Sequence, residues 1–217
     1  MHILKHSRDY GSVTTLQTLI LMEIMMDAAN IMQNNGNNFN IDNLIWLDME
    51  MSGLDINKEV IIEVAAIVTD LNFKELDSFE AIVRQPQHFL DNMDAWNTEH
   101  HGKSGLTAKV PHGMEPTAVE HHLVTLAKNH FPDPRDKPIL AGNSVSQDRL
   151  FIDKYFKNFS ELLHYRIMDV TSWKILMFNK FKCEYRKHNQ HRALDDIRES
   201  IQEMQFYSQY IQVPEKT

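Results

Sequence analysis

The stretch Asn43-Leu44-Ile45-Trp46-Leu47-Asp48-Met49-Glu50 constrains this chain more than any other. It is an apolar run suited to a buried strand, and it ends in two carboxylates one residue apart. Side chains alternate faces along a strand, so Asp48 and Glu50 point the same way. Like charges held side by side repel unless a cation sits between them or one keeps its proton. The alternative is that the strand simply ends here and water solvates both acids. The stretch alone leaves both readings open.

Two further strands are expected at 60–69 and 79–84, joined to the first by short connections, which makes an antiparallel meander the simplest topology. Ser52-Gly53-Leu54-Asp55 forms the first turn, with Leu54 an apolar residue either capping the core or facing a ligand. Val119, Leu123, Leu126 and Ala127 follow a helical period, and that helix should stop before the turn region Pro132 to Pro138. Ile139-Leu140-Ala141 reads as a short buried strand, and Tyr165 to Val170 as another. Each runs into a helix. Strand-helix alternation in this half adds parallel strands to the meander. The expected fold class is therefore α/β, a mixed sheet with helices around it.

Before residue 41 the character differs. Val13 to Gln33 is mostly apolar, but Glu23 and Asp27 interrupt it, so no clean membrane span or signal-peptide core is present. Lys5 and Arg8 stand against Asp9, Glu23 and Asp27, unlike an Arg-rich transit peptide. Asn34-Asn35-Gly36-Asn37-Asn38 reads as a polar linker, which sets residues 1–40 apart as an extension of a domain at 41–217. Cys183 is the single cysteine, which rules out an internal disulfide framework and favours a reducing compartment. A net charge of -8 argues against broad contact with long nucleic acid and leaves room for a small phosphate ligand held through metal ions.

Other chemistry-bearing residues are scattered. Trp96 lies in a polar stretch, either anchoring a loop or offering a face on which a base stacks. The doublets His100-His101 and His121-His122 need no metal, since solvated or capping histidines explain most such pairs. Asp148 falls at or near the first turn of a helix, where the macrodipole favours an anion. Leu194, Ile197, Ile201 and Met204 mark a helix with one apolar stripe, preceded by His191. His191 is four residues from Asp195 and five from Asp196. If the helix includes His191, spacing favours Asp195 as its neighbour; if not, either aspartate serves.

Taken together, DMEMSGLD at 48–55, GNSVSQDR at 142–149, HYRIMDVTS at 164–172 and HRALDDIRES at 191–200 make the chain resemble the oligoribonuclease family of 3′-to-5′ exonucleases from about Asn43 to Ile211. The resemblance implies a ribonuclease H-like exonuclease fold with a mixed five-stranded sheet. It implies that Asp48, Glu50, Asp148 and Asp196 bind two divalent cations, Mg2+ or Mn2+, and that His191 is the general base, and so it selects Asp196 over Asp195. An all-carboxylate shell suits those ions better than zinc. Leu54 and Trp96 are implied to wedge or stack against the substrate's bases, Ser144 and His101 to contact its sugar-phosphate part, and Tyr165 with Arg166 to hold its 5′ phosphate. Tyr165 is supplied in the family by a neighbouring subunit, which implies a homodimer.

The implied activity is degradation of very short single-stranded RNA, from dinucleotides to about five nucleotides, to 5′-mononucleotides. The rival readings are a related exonuclease trimming longer RNA or DNA 3′ ends, and a noncatalytic binding module on the same fold. The chain departs from typical members in its amino-terminal extension and in Lys180 to Gln190, where Lys180, Lys182, Arg186 and Lys187 form a basic patch. The expected compartment is the cytosol, with the mitochondrion as the alternative and no membrane association.

Overall fold

The computed structural model describes residues 41–186 and 193–212. The extension at 1–40, the general-base candidate His191 and Lys187 of the basic patch fall outside the described residues.

Strand β1 (Asn43–Met51) is the middle of a five-stranded sheet of order β3-β2-β1-β4-β5. It pairs antiparallel with β2 (Ile61–Asp70), which in turn pairs antiparallel with β3 (Glu75–Ile82). On the other side it pairs parallel with β4 (Leu140–Gly142), and β4 with β5 (Ile167–Asp169). The expected mixed five-stranded sheet is present, and the short helices α1 (Gln87–Asp91), α3 (Leu106–Lys109) and α6 (Lys157–Leu162) lie in its connections.

The apolar run Leu44 to Leu47 is buried because helices cover both faces of β1. Ile45, Leu47, Met49 and Met51 pack against Val119 and Leu123 of α4 (Pro116–His130) and Phe151 and Ile152 of α5 (Ser146–Tyr155). Leu44 and Trp46 pack on the opposite face against Ile197, Ile201 and Met204 of α8 (Ala193–Ser208) and Met177 of α7 (Val170–Phe181). Each such aliphatic side chain contributes about 1.5–3 kcal/mol by leaving water. Trp46 keeps its indole N–H satisfied by donating to Thr69 Oγ1 at 2.9 Å. Asp48 and Glu50 share the parity of Leu44 and Trp46, so they continue the face that α8 covers.

The third strand begins earlier than its expected start at 79. Its first residues, Glu75 to Ser78, lie on an exposed sheet edge and carry no hydrophobic alternation to read. The turn before it is built by Asp70, whose carboxylate accepts the backbone N–H groups of Asn72 and Lys74 at 2.8 and 2.9 Å. The helix read from Val119 to Ala127 is α4, and it ends at His130, before Pro132. Among the described residues, no helix is long and apolar enough to cross a membrane.

Candidate active site

The site gathers where β1 ends, where α5 and α8 begin, and where one helix, α2 (Ala95–Lys103), lies against the strand's end. One carboxylate oxygen from each of Asp48, Glu50 and Asp196 lies within 4.8 Å of the others. Strand alternation supplies the first two. The third stands in the first turn of α8, whose stripe Ile197, Ile201 and Met204 is pressed onto the sheet. The neighbouring Asp195 pairs with Arg198, Oδ1 to Nη1 at 3.8 Å. Spacing left the two aspartates undecided; packing of the stripe brings Asp196 to the other acids.

Asp148 is buried in the first turn of α5. Its carboxylate accepts backbone N–H groups, its own and that of Met49, which favour the charged form. Burial outweighs them, and Glu50 and Asp169 add repulsion, so its pKa is pushed up to about 8. Glu50 is raised to about 7, chiefly by burial and then by Glu63 and Asp196. These shifts share one cause, negative charge gathered in a poorly hydrated place. An oxygen-only donor set of this kind fits hard divalent cations, which offset such repulsion directly.

Helix α2 starts at an Asp94 cap, whose Oδ1 accepts the Asn97 N–H at 2.8 Å, and its length turns His101 inward. His101 is buried, with Nε2 3.0 Å from the Met51 carbonyl oxygen and Nδ1 4.0 Å from Glu50 Oε2. A solvated or capping role therefore does not describe it. Burial holds its pKa below the usual imidazole value. His100 stacks on Trp96, ring centroids 4.6 Å apart and planes 9° from parallel. Trp96 is 66% exposed and Leu54 71%, so neither is a core anchor. Leu54 is placed beside α5 by its carbonyl, which accepts from Gln147 Nε2 at 3.1 Å.

Ser144 adopts a left-handed backbone, φ 51°, uncommon for a residue with a side chain. Its N–H is held by Asp169 Oδ1 at 3.0 Å and Thr171 Oγ1 at 2.9 Å. Asp169 also caps α7 through the Thr171 N–H at 2.8 Å. Asn143 joins this loop to α8 by donating from Nδ2 to Ser200 Oγ at 2.6 Å, and Ser200 Oγ donates to the Asp196 carbonyl at 2.8 Å. Gly142 before it is required by space, since a Cβ there would stand 2.7 Å from the Leu47 carbonyl oxygen. Asn143, Asp169 and Thr171 were not singled out from the sequence as site residues. The signal for the last two was the Asp-x-Thr helix start after a strand.

Tyr165 is 75% exposed, between the His164 ring at 4.5 Å and the Arg166 guanidinium at 4.6 Å. Its own chain leaves most of the ring uncovered.

A protein-family model described as Exonuclease matches residues 45–204. A bovine protein named mitochondrial oligoribonuclease is 45% identical over 170 residues, 76% of this chain and 71% of that protein. An oligoribonuclease of Francisella tularensis is 43% identical over 173 residues, 77% of this chain and 95% of its own length. The chain belongs to the oligoribonuclease family. It is accordingly a nuclease, a hydrolase of phosphodiester bonds. This oligoribonuclease-family chain also shares its fold with E. coli Exonuclease I solved with a dA16 oligonucleotide, at TM-score 0.61 and 14% identity. That match covers 78% of this chain and 41% of the larger one, so the chain spans about two-fifths of that exonuclease.

Proposed function

We propose that the chain is a metal-dependent 3′-to-5′ exoribonuclease that degrades very short RNA, from dinucleotides to about five nucleotides, to 5′-mononucleotides. The observation that carries this reading is the convergence of Asp48, Glu50 and Asp196 within 4.8 Å, in a chain 43–45% identical to proteins named oligoribonuclease.

In this reading Asp48, Glu50, Asp148 and Asp196 hold two Mg2+ or Mn2+ ions. When bound, the ions polarise the scissile phosphate and acidify the attacking water. His191 takes the water's proton, a task suited to a group that titrates near neutrality. Trp96 and Leu54 offer exposed apolar faces to the terminal bases, and His101 and Ser144 contact the sugar-phosphate part. A ligand this short presents few phosphates, which is compatible with a chain of charge -8.

Tyr165 and Arg166 hold the 5′ phosphate across a homodimer. Tyr165, Ile167, Ile175, Leu176, Phe178 and Phe181, just before and along edge strand β5 and α7, are exposed, and this supports the reading because exposed apolar side chains favour a covered interface. The mass in solution tests it. The cytosol is the favoured compartment, and relatives named mitochondrial make the mitochondrion the alternative that cell fractionation decides.

The functional test is a length series of 5′-phosphorylated oligoribonucleotides with Mg2+ or Mn2+. Turnover should be fastest on the dinucleotide and fall steeply with length. An intact dinucleotide in the presence of metal-loaded protein would overturn the reading, and equal rates on long RNA or DNA would favour an end-trimming exonuclease.

A further inference from the structure

Glu50 belongs to two groups of potential ligands. Besides its carboxylate partners, one ligand atom from each of Glu50, His100 and His101 lies within 4.8 Å of the others. The hydrogen bonding of His101 shows what its inner nitrogen can do. Nε2 is 3.0 Å from the Met51 carbonyl oxygen, and a carbonyl only accepts, so the proton is on Nε2. Nδ1 therefore carries a lone pair. That atom is buried and has no hydrogen-bond partner, in a side chain 1% exposed. Facing it at 4.0 Å is Glu50 Oε2, a second acceptor. The gap is too long for a hydrogen bond, and the lone pair of Nδ1 points into it.

A neutral imidazole that donates one N–H to a backbone carbonyl and aims the other nitrogen into a cluster is the arrangement of a metal-binding histidine. The donors here are two imidazoles and a carboxylate. That set differs in kind from the oxygen-only group of Asp48, Glu50 and Asp196, and it suits zinc rather than magnesium. Tetrahedral zinc with these ligands brings neighbouring donor atoms to about 3.3 Å. Glu50 and His100 are half-buried, so their side chains can rotate to close the difference, while His101 is fixed by Met51.

We propose that Glu50, His100 and His101 form a zinc site, distinct from the carboxylate centre but sharing Glu50 with it. Zinc there draws Glu50 away from Asp48 and Asp196 and holds the His100 ring on which Trp96 stacks. The consequence, which rests on the nuclease reading, is inhibition of Mg2+- or Mn2+-supported cleavage by zinc.

The test is calorimetric titration of the full chain with Zn2+, with Co2+ absorption in the visible range as a probe of nitrogen ligation. The His100→Ala variant changes a half-buried residue, and Asp48→Asn disrupts the carboxylate centre alone. The wild type should show a high-affinity zinc step that His100→Ala weakens by at least about tenfold, with loss of the Co2+ bands. Asp48→Asn should retain both. The proposal is overturned if the wild type lacks the step, if His100→Ala binds zinc unchanged, or if Asp48→Asn abolishes binding. His101→Gln is a second variant, and it should lose the same step. These readouts need no turnover, so a failed nuclease assay leaves them interpretable. In turnover assays, His100→Ala should resist zinc where the wild type is inhibited.

Discussion

Replacing Asp148 by asparagine should make the metal-free protein less sensitive to rising pH while removing its response to metal. Asp148 is an acid whose folded pKa is raised from 3.8 to about 8, with burial as the main cause. Between those values the folded protein keeps a proton that the unfolded chain has released, so unfolding releases a proton and stability falls as pH rises. At about 1.4 kcal/mol per unit, the loss attributable to this group between about pH 5 and pH 8 is on the order of 3 kcal/mol. Asparagine has no proton to lose. It can leave one of the two backbone N–H groups bonded to this carboxylate unpaired, at a cost of about 1–3 kcal/mol that does not vary with pH. The measurement is urea denaturation in chelator at several pH values for both proteins. The wild-type curve should fall more steeply by that amount, and the two should converge or cross near the alkaline end. Glu50, raised by burial, Glu63 and Asp196, titrates in both proteins, so the difference reports Asp148 together with its repulsion from Glu50. Added Mn2+ should raise the wild-type midpoint at pH 8 and leave the variant nearly unmoved. Parallel pH profiles would refute the argument that a buried, uncompensated carboxylate stands at this position.

The remaining predictions concern substrate and scaffold. Trp96→Ala should raise KM for a dinucleotide by about tenfold or more with little change in Tm, because stacking is worth about 1–3 kcal/mol per base and the ring is mostly exposed; unchanged KM would remove Trp96 from the binding face. His191→Ala should lower kcat by about two orders of magnitude or more with a smaller effect on substrate affinity, and normal turnover would end its general-base role. Asn143→Ala should lower Tm and weaken Mn2+ binding together, because it unties Ser200 and hence the start of α8 that carries Asp196; intact metal affinity in a destabilised variant would confine Asn143 to a structural part. Mixing inactive Tyr165→Ala and Asp196→Asn proteins should restore activity through hybrid dimers, and no recovery after demonstrated subunit exchange would contradict a shared site.

Several parts of the architecture are readable in one dimension because they depend on neighbours in sequence. The period of two along β1 puts Asp48 and Glu50 on one face, and the period of α4 ends before Pro132. Asp148 stands in the first turn of its helix as its position suggests. The start of β3 was not readable, because an exposed edge strand needs no apolar alternation and takes its hydrogen bonds from β2. The burial of His101 was not readable for a related reason. A histidine doublet looks alike on either side of a helix, and only the docking of α2 on the end of β1 buries one ring and leaves the other stacked on Trp96.

The sequence by itself determined the elements, the acid pair at the end of the central strand and, through ordered motifs, the resemblance to oligoribonucleases. Tertiary structure decided which groups meet. The apolar stripe of α8 must be buried against Leu44 and Trp46, and this carries Asp196 to Asp48 and Glu50 while Asp195 turns to Arg198. Burial on the other side raises Asp148, and the left-handed Ser144 is held by Asp169 and Thr171 from the next strand-helix junction. Local periodicity alone decides none of these, because burial, repulsion between acids and an unpartnered imidazole nitrogen are properties of groups that only the folded chain brings together.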